Sequence, residues 1–218
     1  MKLGLHCSRF TWPGGPDAMG TTLATIARPS NPILVRVGDV PASVGFEECA
    51  AIPTSALTAL HGLRDAGRLR AGQRLLVNGA SGGVGSFAVQ IGKILGAEVT
   101  GVCSTANVEL VGRLGADHVI DYTRDDFTAG PDRYDLILDN VENRPLSVVR
   151  LALAPGGTLV LNSGTGATGL RFFARLIWPV VLSPFASHTL RRFLSTPNRA
   201  DLEWLAARAA DGSLRPVV

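Results

Sequence analysis

Between Arg68 and Gly166, short apolar runs alternate with segments whose apolar residues recur at helical spacing. "RLLVNG", "EVTGVCS", "HVIDY", "YDLILDNV" and "TLVLNSG" read as strands. "GGVGSFAVQIGKILG", "NVELVGRLG" and "LSVVRLAL" read as helices, the first with Val84, Phe87, Ala88, Ile91 and Leu95 on one face. Two parallel strands need a long crossover between them, and an intervening helix provides it. The alternation therefore predicts an α/β fold, a doubly wound parallel sheet of Rossmann type with helical flanks. The turn "PGG" (Pro155 to Gly157) is expected to lead into the last of these strands.

The flanks are less regular. Residues 1–40 are punctuated by Pro13, Pro16, Pro29 and Pro32, with one candidate strand at Ile33 to Val37. In residues 41–67, Ser43 can cap a short helix that Pro53 interrupts, and a second helix runs through Leu57, Leu60 and Leu63 to a stop at Gly67. Beyond Gly166 come aromatic and apolar helical stretches. The final helix has Asn198 as N-cap, Asp201 near its positive end and Gly212 as its stop, and "LRPVV" begins something strand-like.

Bulk properties exclude several classes. A net charge of +3 is too slight to argue for nucleic acid, and Arg171, Arg175, Arg191, Arg192 and Arg199 read as a solvated helix face. Cys7, Cys49 and Cys103 have neither metal-ligand spacing nor a disulfide framework, which points to a reducing, cytoplasmic setting. The N-terminus lacks the sustained apolar core of a signal peptide, and "LIWPVVLSPFA" is too short to span a bilayer, so no membrane span is expected.

The chemistry gathers at "GASGGVG", residues Gly79, Ala80, Ser81, Gly82, Gly83, Val84 and Gly85, where a strand passes into a helix. The first turn of a helix has unpaired N–H groups and a partial positive charge, and a pyrophosphate docks there when no side chain intervenes. Gly79 permits the tight turn, Gly82 and Gly83 admit the phosphates, and Gly85 lets the helix approach the sheet. The spacing G-x-x-G-x-x-G is a variant of the dinucleotide fingerprint. Residues 68–218 are therefore read as the nucleotide-binding domain. At the end of the second strand an NAD site would place Asp or Glu on the ribose. "GVCSTAN" has no carboxylate before Glu109, while Ser104, Thr105 and Asn107 can donate to a 2′-phosphate with nothing negative to repel it. NADP(H) is the expected cofactor.

The run from "AAIPTSALTALHGLRDAG" through "GASGGVGSFAVQIGKILGAEVTGVCS", "NVELVGRLGADHVIDYT", "YDLILDNV" and "GGTLVLNSGTG" resembles the medium-chain dehydrogenase/reductase superfamily, in its zinc-independent quinone oxidoreductase-like branch. That resemblance implies hydride transfer from NADPH to a quinone, enone or related carbonyl compound. It implies that Ser104 and Thr105 lie near the 2′-phosphate with Tyr122 beside them, and that Asn107 stands where some relatives carry a basic residue. Thr58 would approach the nicotinamide side, and Asn140, Val141, Ser163 and Gly164 would line the nicotinamide ribose and ring. Thr54 stands where zinc-dependent relatives place a cysteine ligand, and His6, Cys7, His61 and His118 do not replace the set, so no metal is expected. His61 and His118 read as helix-surface or strand-end residues.

The sequence also departs from the family it resembles. The β-rich catalytic domain expected before the cofactor domain has no counterpart in residues 1–40, so the chain reads as truncated. Glu142 replaces a glycine and would bring bulk and negative charge close to the nicotinamide. No catalytic acid, base or Ser-His-Asp set is suggested. A catalytically impaired NADP(H)-binding module acting through a partner is the alternative, and a methyltransferase of similar fold fits the ordered motifs less well. The apolar "FFARLIWPVVL" (Phe172 to Leu182) reads either as part of a homodimer contact or as ordinary packing within the subunit, and poor solubility of the chain alone is a further expectation.

Overall fold

The computed structural model describes residues 51–162 and 188–217, all within one compact unit, Asp39–Val218. The expectations about residues 1–40, Ser43, Ser163, Gly164 and the apolar stretch 172–182 lie outside the described residues, as do Arg171 and Arg175.

A continuous helix, α1, runs through Ile52–Ala56, Leu57–Leu60 and His61–Ala66, widening into π-helical turns at both ends. Pro53 lies in its first turn, where a missing N–H leaves no intrahelical bond unmade. Gly67 receives the end of α1, its N–H donating to the Gly62 carbonyl at 2.8 Å. Gly67 is required for closeness rather than for freedom: a Cβ there would lie 2.6 Å from Leu136 Cδ2. The left-handed residue is the next one, Arg68, at φ 52°.

Among the described residues six parallel strands follow, in the spatial order β3-β2-β1-β4-β5-β6. They are β1 (Arg74–Asn78), β2 (Glu98–Cys103), β3 (His118–Asp121), β4 (Tyr134–Asp139), β5 (Leu153–Leu161) and β6 (Thr189–Arg192). Helix α2 (Gly83–Ile94) crosses from β1 to β2, and α3 (Val108–Arg113), entered through a 3₁₀ turn at Thr105–Asn107, crosses from β2 to β3. A short α4 (Leu146–Val149) and the 3₁₀ turn Arg150–Ala152 connect β4 to β5, and α5 (Arg199–Ala210) follows β6. This strand order reverses direction between β1 and β4, which makes their carboxyl ends the switch point where a doubly wound sheet binds ligands.

Alternate residues of each strand feed two cores. Leu75 and Val77 join Leu57, Leu60, Leu63, Phe87, Ile91 and Leu205 on the face carrying α1, α2 and α5. Leu76 joins Tyr134, Ile137, Val149, Leu159, Leu161 and Leu190 on the other. Helix α2 is buried from Gly85 through Gly92 rather than along one face, because it lies against both the sheet and α1. Its buried Gln90 is satisfied by the C-terminal tail, with Nε2 donating to the Arg215 carbonyl at 2.9 Å and Oε1 accepting the Arg215 N–H at 2.7 Å.

Three expectations are corrected. Pro155 to Gly157 lie inside β5 as a bulge, where the register against β4 jumps from Leu153 to Thr158 and Gly156 takes φ 76°. Residues Thr189–Arg192, read as part of a helical stretch, form β6, so Arg191 and Arg192 sit on a strand rather than a solvated helix. "LRPVV" forms no strand over residues 214–217; Leu214 is buried there and the Arg215 backbone is occupied by Gln90. The capping of α5 is as expected: Asn198 accepts the Asp201 N–H at 2.9 Å, and Gly212 follows the helix at φ 78°. Among the described residues no helix is long and apolar enough to cross a membrane.

Candidate cofactor site

The glycine turn sits at the switch point. Gly79 has φ 79°, and the N–H groups of Gly79 and Ala80 both donate to the Val102 carbonyl of β2, at 3.1 and 2.9 Å. Gly82 is the N-cap of α2 and brings no side chain to the helix end. Gly85 is pressed against the turn, since a Cβ on it would fall 2.0 Å from the Gly79 carbonyl oxygen. Ala80 is buried, Ser81 and Val84 are half-buried, and Gly82 and Gly83 are exposed. The first-turn N–H groups of a helix lack intrahelical acceptors, and here they open onto a surface that glycine leaves bare. The residues present thus fit a dinucleotide pyrophosphate.

The neighbouring elements bring several expected residues to this turn. Val141 packs over Gly79, its Cγ2 lying 2.8 Å from where a Cβ on that glycine would be. Helix α1 stands beside the turn, with Ser55 Oγ 3.2 Å from a Cβ placed on Gly83. Thr58, one helical turn further, is half-buried and donates its hydroxyl to the Thr54 carbonyl at 2.7 Å. Asn140 Nδ2 donates to the Asn78 carbonyl at 3.1 Å, and its Oδ1 accepts from Asn162 Nδ2 at 2.9 Å.

Sequence reasoning missed the polar ladder behind these contacts. Asn78 Nδ2 donates to Asp139 Oδ1 at 2.8 Å, and the same oxygen accepts the N–H groups of Val141 and Glu142 at 3.1 and 2.8 Å. Asn78, Asp139 and Asn162 fix the ends of β1, β4 and β5 together. The signal was present: each is a polar residue at the close of an apolar strand.

Glu142 differs from expectation. It takes φ 54°, the left-handed conformation that favours glycine, yet its carboxylate does not lie free near the turn. It is 6% exposed and paired with the Arg192 guanidinium of β6, Nη2 to Oε2 at 2.5 Å and Nη1 to Oε1 at 3.1 Å. Together with Asp139, Leu161 and Leu190 the pair lines a cavity of about 370 Å³ beyond β4, β5 and β6.

At the far end of β2 the expected 2′-phosphate residues are assembled. Ser104 Oγ accepts from Asn107 Nδ2 at 3.0 Å, and Tyr122 is 56% exposed, with its N–H on the Cys103 carbonyl. The expectation that nothing negative lies here is overturned. Asp121, at the end of β3, accepts the Thr105 hydroxyl at 2.5 Å, because the register pairs Asp121 with Cys103. That bond, with further bonds from Thr123 and the nearby Arg124, holds the Asp121 carboxyl below the usual carboxylate range. The Cys103 thiol is pushed up by burial and then by Asp121.

Away from this site, His61 is buried rather than on a helix surface. Its Nε2 lies 2.8 Å from Asp201 Oδ2, and its Nδ1 2.9 Å from Ser195 Oγ. Asp201 also accepts from Arg64 Nη1 at 2.5 Å and Nη2 at 2.9 Å, and from Asn198 Nδ2 at 2.6 Å. This network docks α5 onto α1. His61, Asp65 and Asp201 carry donors within 4.8 Å of one another, as a metal would require. Arg64, bonded to both carboxylates, supplies the cation there. His118 begins β3, exposed, 3.1 Å from Glu98.

Comparison with known proteins agrees with this geometry. A family profile described as zinc-binding dehydrogenase matches residues 114–218. The chain is 38% identical over 134 residues to 2-methylene-furan-3-one reductase of Solanum lycopersicum, covering 61% of this chain and 34% of that protein. It is 32% identical over 187 residues to the chloroplast envelope quinone oxidoreductase homolog of Arabidopsis thaliana, covering 82% and 55%. The quinone oxidoreductase from Coxiella burnetii superposes with a TM-score of 0.68 at 26% identity, over 81% of this chain and 53% of that one. The chain thus spans between 34% and 55% of these relatives' lengths. It belongs to the medium-chain dehydrogenase/reductase superfamily and is quinone oxidoreductase-like, a membership that implies a nicotinamide cofactor.

Proposed function

We propose that the chain is an NADPH-dependent oxidoreductase of quinone reductase type, passing hydride to a quinone, enone or related carbonyl compound. The geometry of the glycine turn carries this reading, with Gly79 at positive φ, Gly85 pressed on it, and Gly82 and Gly83 bare at the N-terminus of α2. Residues 68–218 serve as the cofactor domain and residues 41–67 as its helical lead-in. The cofactor supplies the hydride when bound.

The chain's own residues bind and orient. The α2 N-terminus receives the pyrophosphate. Ser104, Asn107 and Tyr122 receive the adenosine side. Val141, Asn140 and Thr58, with Ser163 and Gly164, border the nicotinamide. The Asn78–Asp139 bond and the Asn140–Asn162 bond keep the ends of three strands from shifting against one another, so that orientation is set before substrate arrives. The Glu142–Arg192 pair supports competence, because a carboxylate held by a guanidinium adds little net charge near the ring. No zinc takes part, in keeping with Thr54 at the position of a ligand cysteine. The protein works in a reducing, cytoplasmic compartment, and a second copy of the chain is its partner.

The test follows NADPH oxidation after a quinone is added to the purified chain, with enone and aldehyde in parallel. Turnover with a quinone or an enone is the expected result. Nucleotide binding with no turnover on any substrate supports the alternative, an NADP(H)-binding module.

A further inference from the structure

Asp121 closes β3 in register with Cys103, the last residue of β2. Its oxygens are already occupied: Oδ2 by the Thr105 hydroxyl at 2.5 Å, Oδ1 by the Thr123 N–H at 3.0 Å and the Thr123 hydroxyl at 2.8 Å. Arg124 Nε stands 3.7 Å from Oδ2, close enough to feel the charge but beyond hydrogen-bond range. Asp121 is 11% exposed and Arg124 74%, so the carboxylate is a fixed internal anchor and the guanidinium faces outward. Among the described residues Arg124 makes no other ion pair.

We propose that Arg124 is the specificity-determining residue for the phosphorylated cofactor: it takes the 2′-phosphate of NADP(H) beside the Asp121 carboxylate. This rests on the NADP(H) reading above. Ser104, Thr105 and Asn107 carry no charge, and the Thr105 hydroxyl is committed to Asp121. A phosphate arriving there without Arg124 would meet the negative charge of Asp121, which lies at the Thr105 hydroxyl. A guanidinium offers paired N–H donors to phosphate oxygens and cancels that repulsion. The Thr105 hydroxyl on Oδ2 and the Thr123 N–H and hydroxyl on Oδ1 engage both oxygens of Asp121, so the carboxylate is held between β2 and its own turn rather than presented to a ribose.

Nucleotide fluorescence titrations with NADPH and NADH on the wild type, Arg124→Ala and Asp121→Asn test this. Arg124→Ala is expected to weaken NADPH binding about tenfold or more and to leave NADH within about twofold. Asp121→Asn is expected to leave NADPH binding equal or tighter. Equal loss of both nucleotides in Arg124→Ala, or loss of neither, overturns the proposal. So does an Asp121→Asn variant that loses NADH and keeps NADPH, which would make Asp121 the ribose ligand. A wild type that binds NADH alone, or neither nucleotide, fails earlier and overturns the NADP(H) reading itself. Arg124 is mostly exposed, so its variant tests the idea even if Asp121→Asn misfolds.

Discussion

A methyl group at position 85 would lie 2.0 Å from the Gly79 carbonyl oxygen and 2.8 Å from Ala80 Cα, both backbone atoms that cannot swing aside. Gly85→Ala is therefore expected to cost about 2–3 kcal/mol in chemical denaturation and to abolish nucleotide binding. Gly82→Ala is the contrast. Its Cβ meets only the Gly79 carbonyl, at 3.4 Å, and its φ of −78° suits any residue. Stability should stay within about 0.5 kcal/mol while NADPH binding weakens, because the new methyl stands on the phosphate face. Glu142 is subtler. Replacing it with glycine relieves a left-handed backbone, worth about 1 kcal/mol, but removes the ion pair with Arg192. Arg192→Met removes the same pair with no such relief. Of the two, Arg192→Met should be the less stable, by about 1 kcal/mol, in matched urea melts. The glycine turn could be read from sequence because only glycine does what those positions need. Asp121 could not, since its partner Thr105 is 16 residues distant and reaches it only through strand register.

The docking of α5 onto α1 depends on one carboxylate. Hydrogen bonds from Arg64, then from Asn198 and His61, hold the Asp201 carboxyl far below its ordinary value of 3.8, against the opposing effect of burial. A carboxyl depressed in the folded state contributes stability that is complete above its unfolded value and is lost as pH falls through the folded one. Acid unfolding should thus steepen below about pH 4. Asp201→Asn is expected to be about 2 kcal/mol less stable at neutral pH, with a flatter dependence below pH 4, measured by denaturant midpoints across pH. Caps such as Asn198 are local and could be read directly. β6 could not: "TLRR" reads as surface because the partners that accept its arginines, the Ala66 carbonyl and Glu142, come from elsewhere in the chain. The "PGG" bulge was hidden for a related reason, since a local turn signal does not say whether the sheet resumes on the same strand.

Over the whole molecule, the alternation of apolar strands and amphipathic crossovers was enough to give the parallel doubly wound sheet, because that pattern leaves few chain paths. What it could not give was the set of contacts across the sheet's carboxyl edge, where Asn78, Asp139, Asn140 and Asn162 meet from three strands. Dialysis against a strong chelator is expected to leave NADPH binding and turnover unchanged, and loss of either, restored by zinc, would contradict the zinc-free reading. The most direct measurement is a titration of the purified chain with NADPH, followed by nicotinamide fluorescence, with NADH in parallel. Saturable binding of NADPH, at least about tenfold tighter than NADH, is the expected result. Binding of neither nucleotide by a folded chain would contradict it, and the glycine turn would then be a structural turn alone.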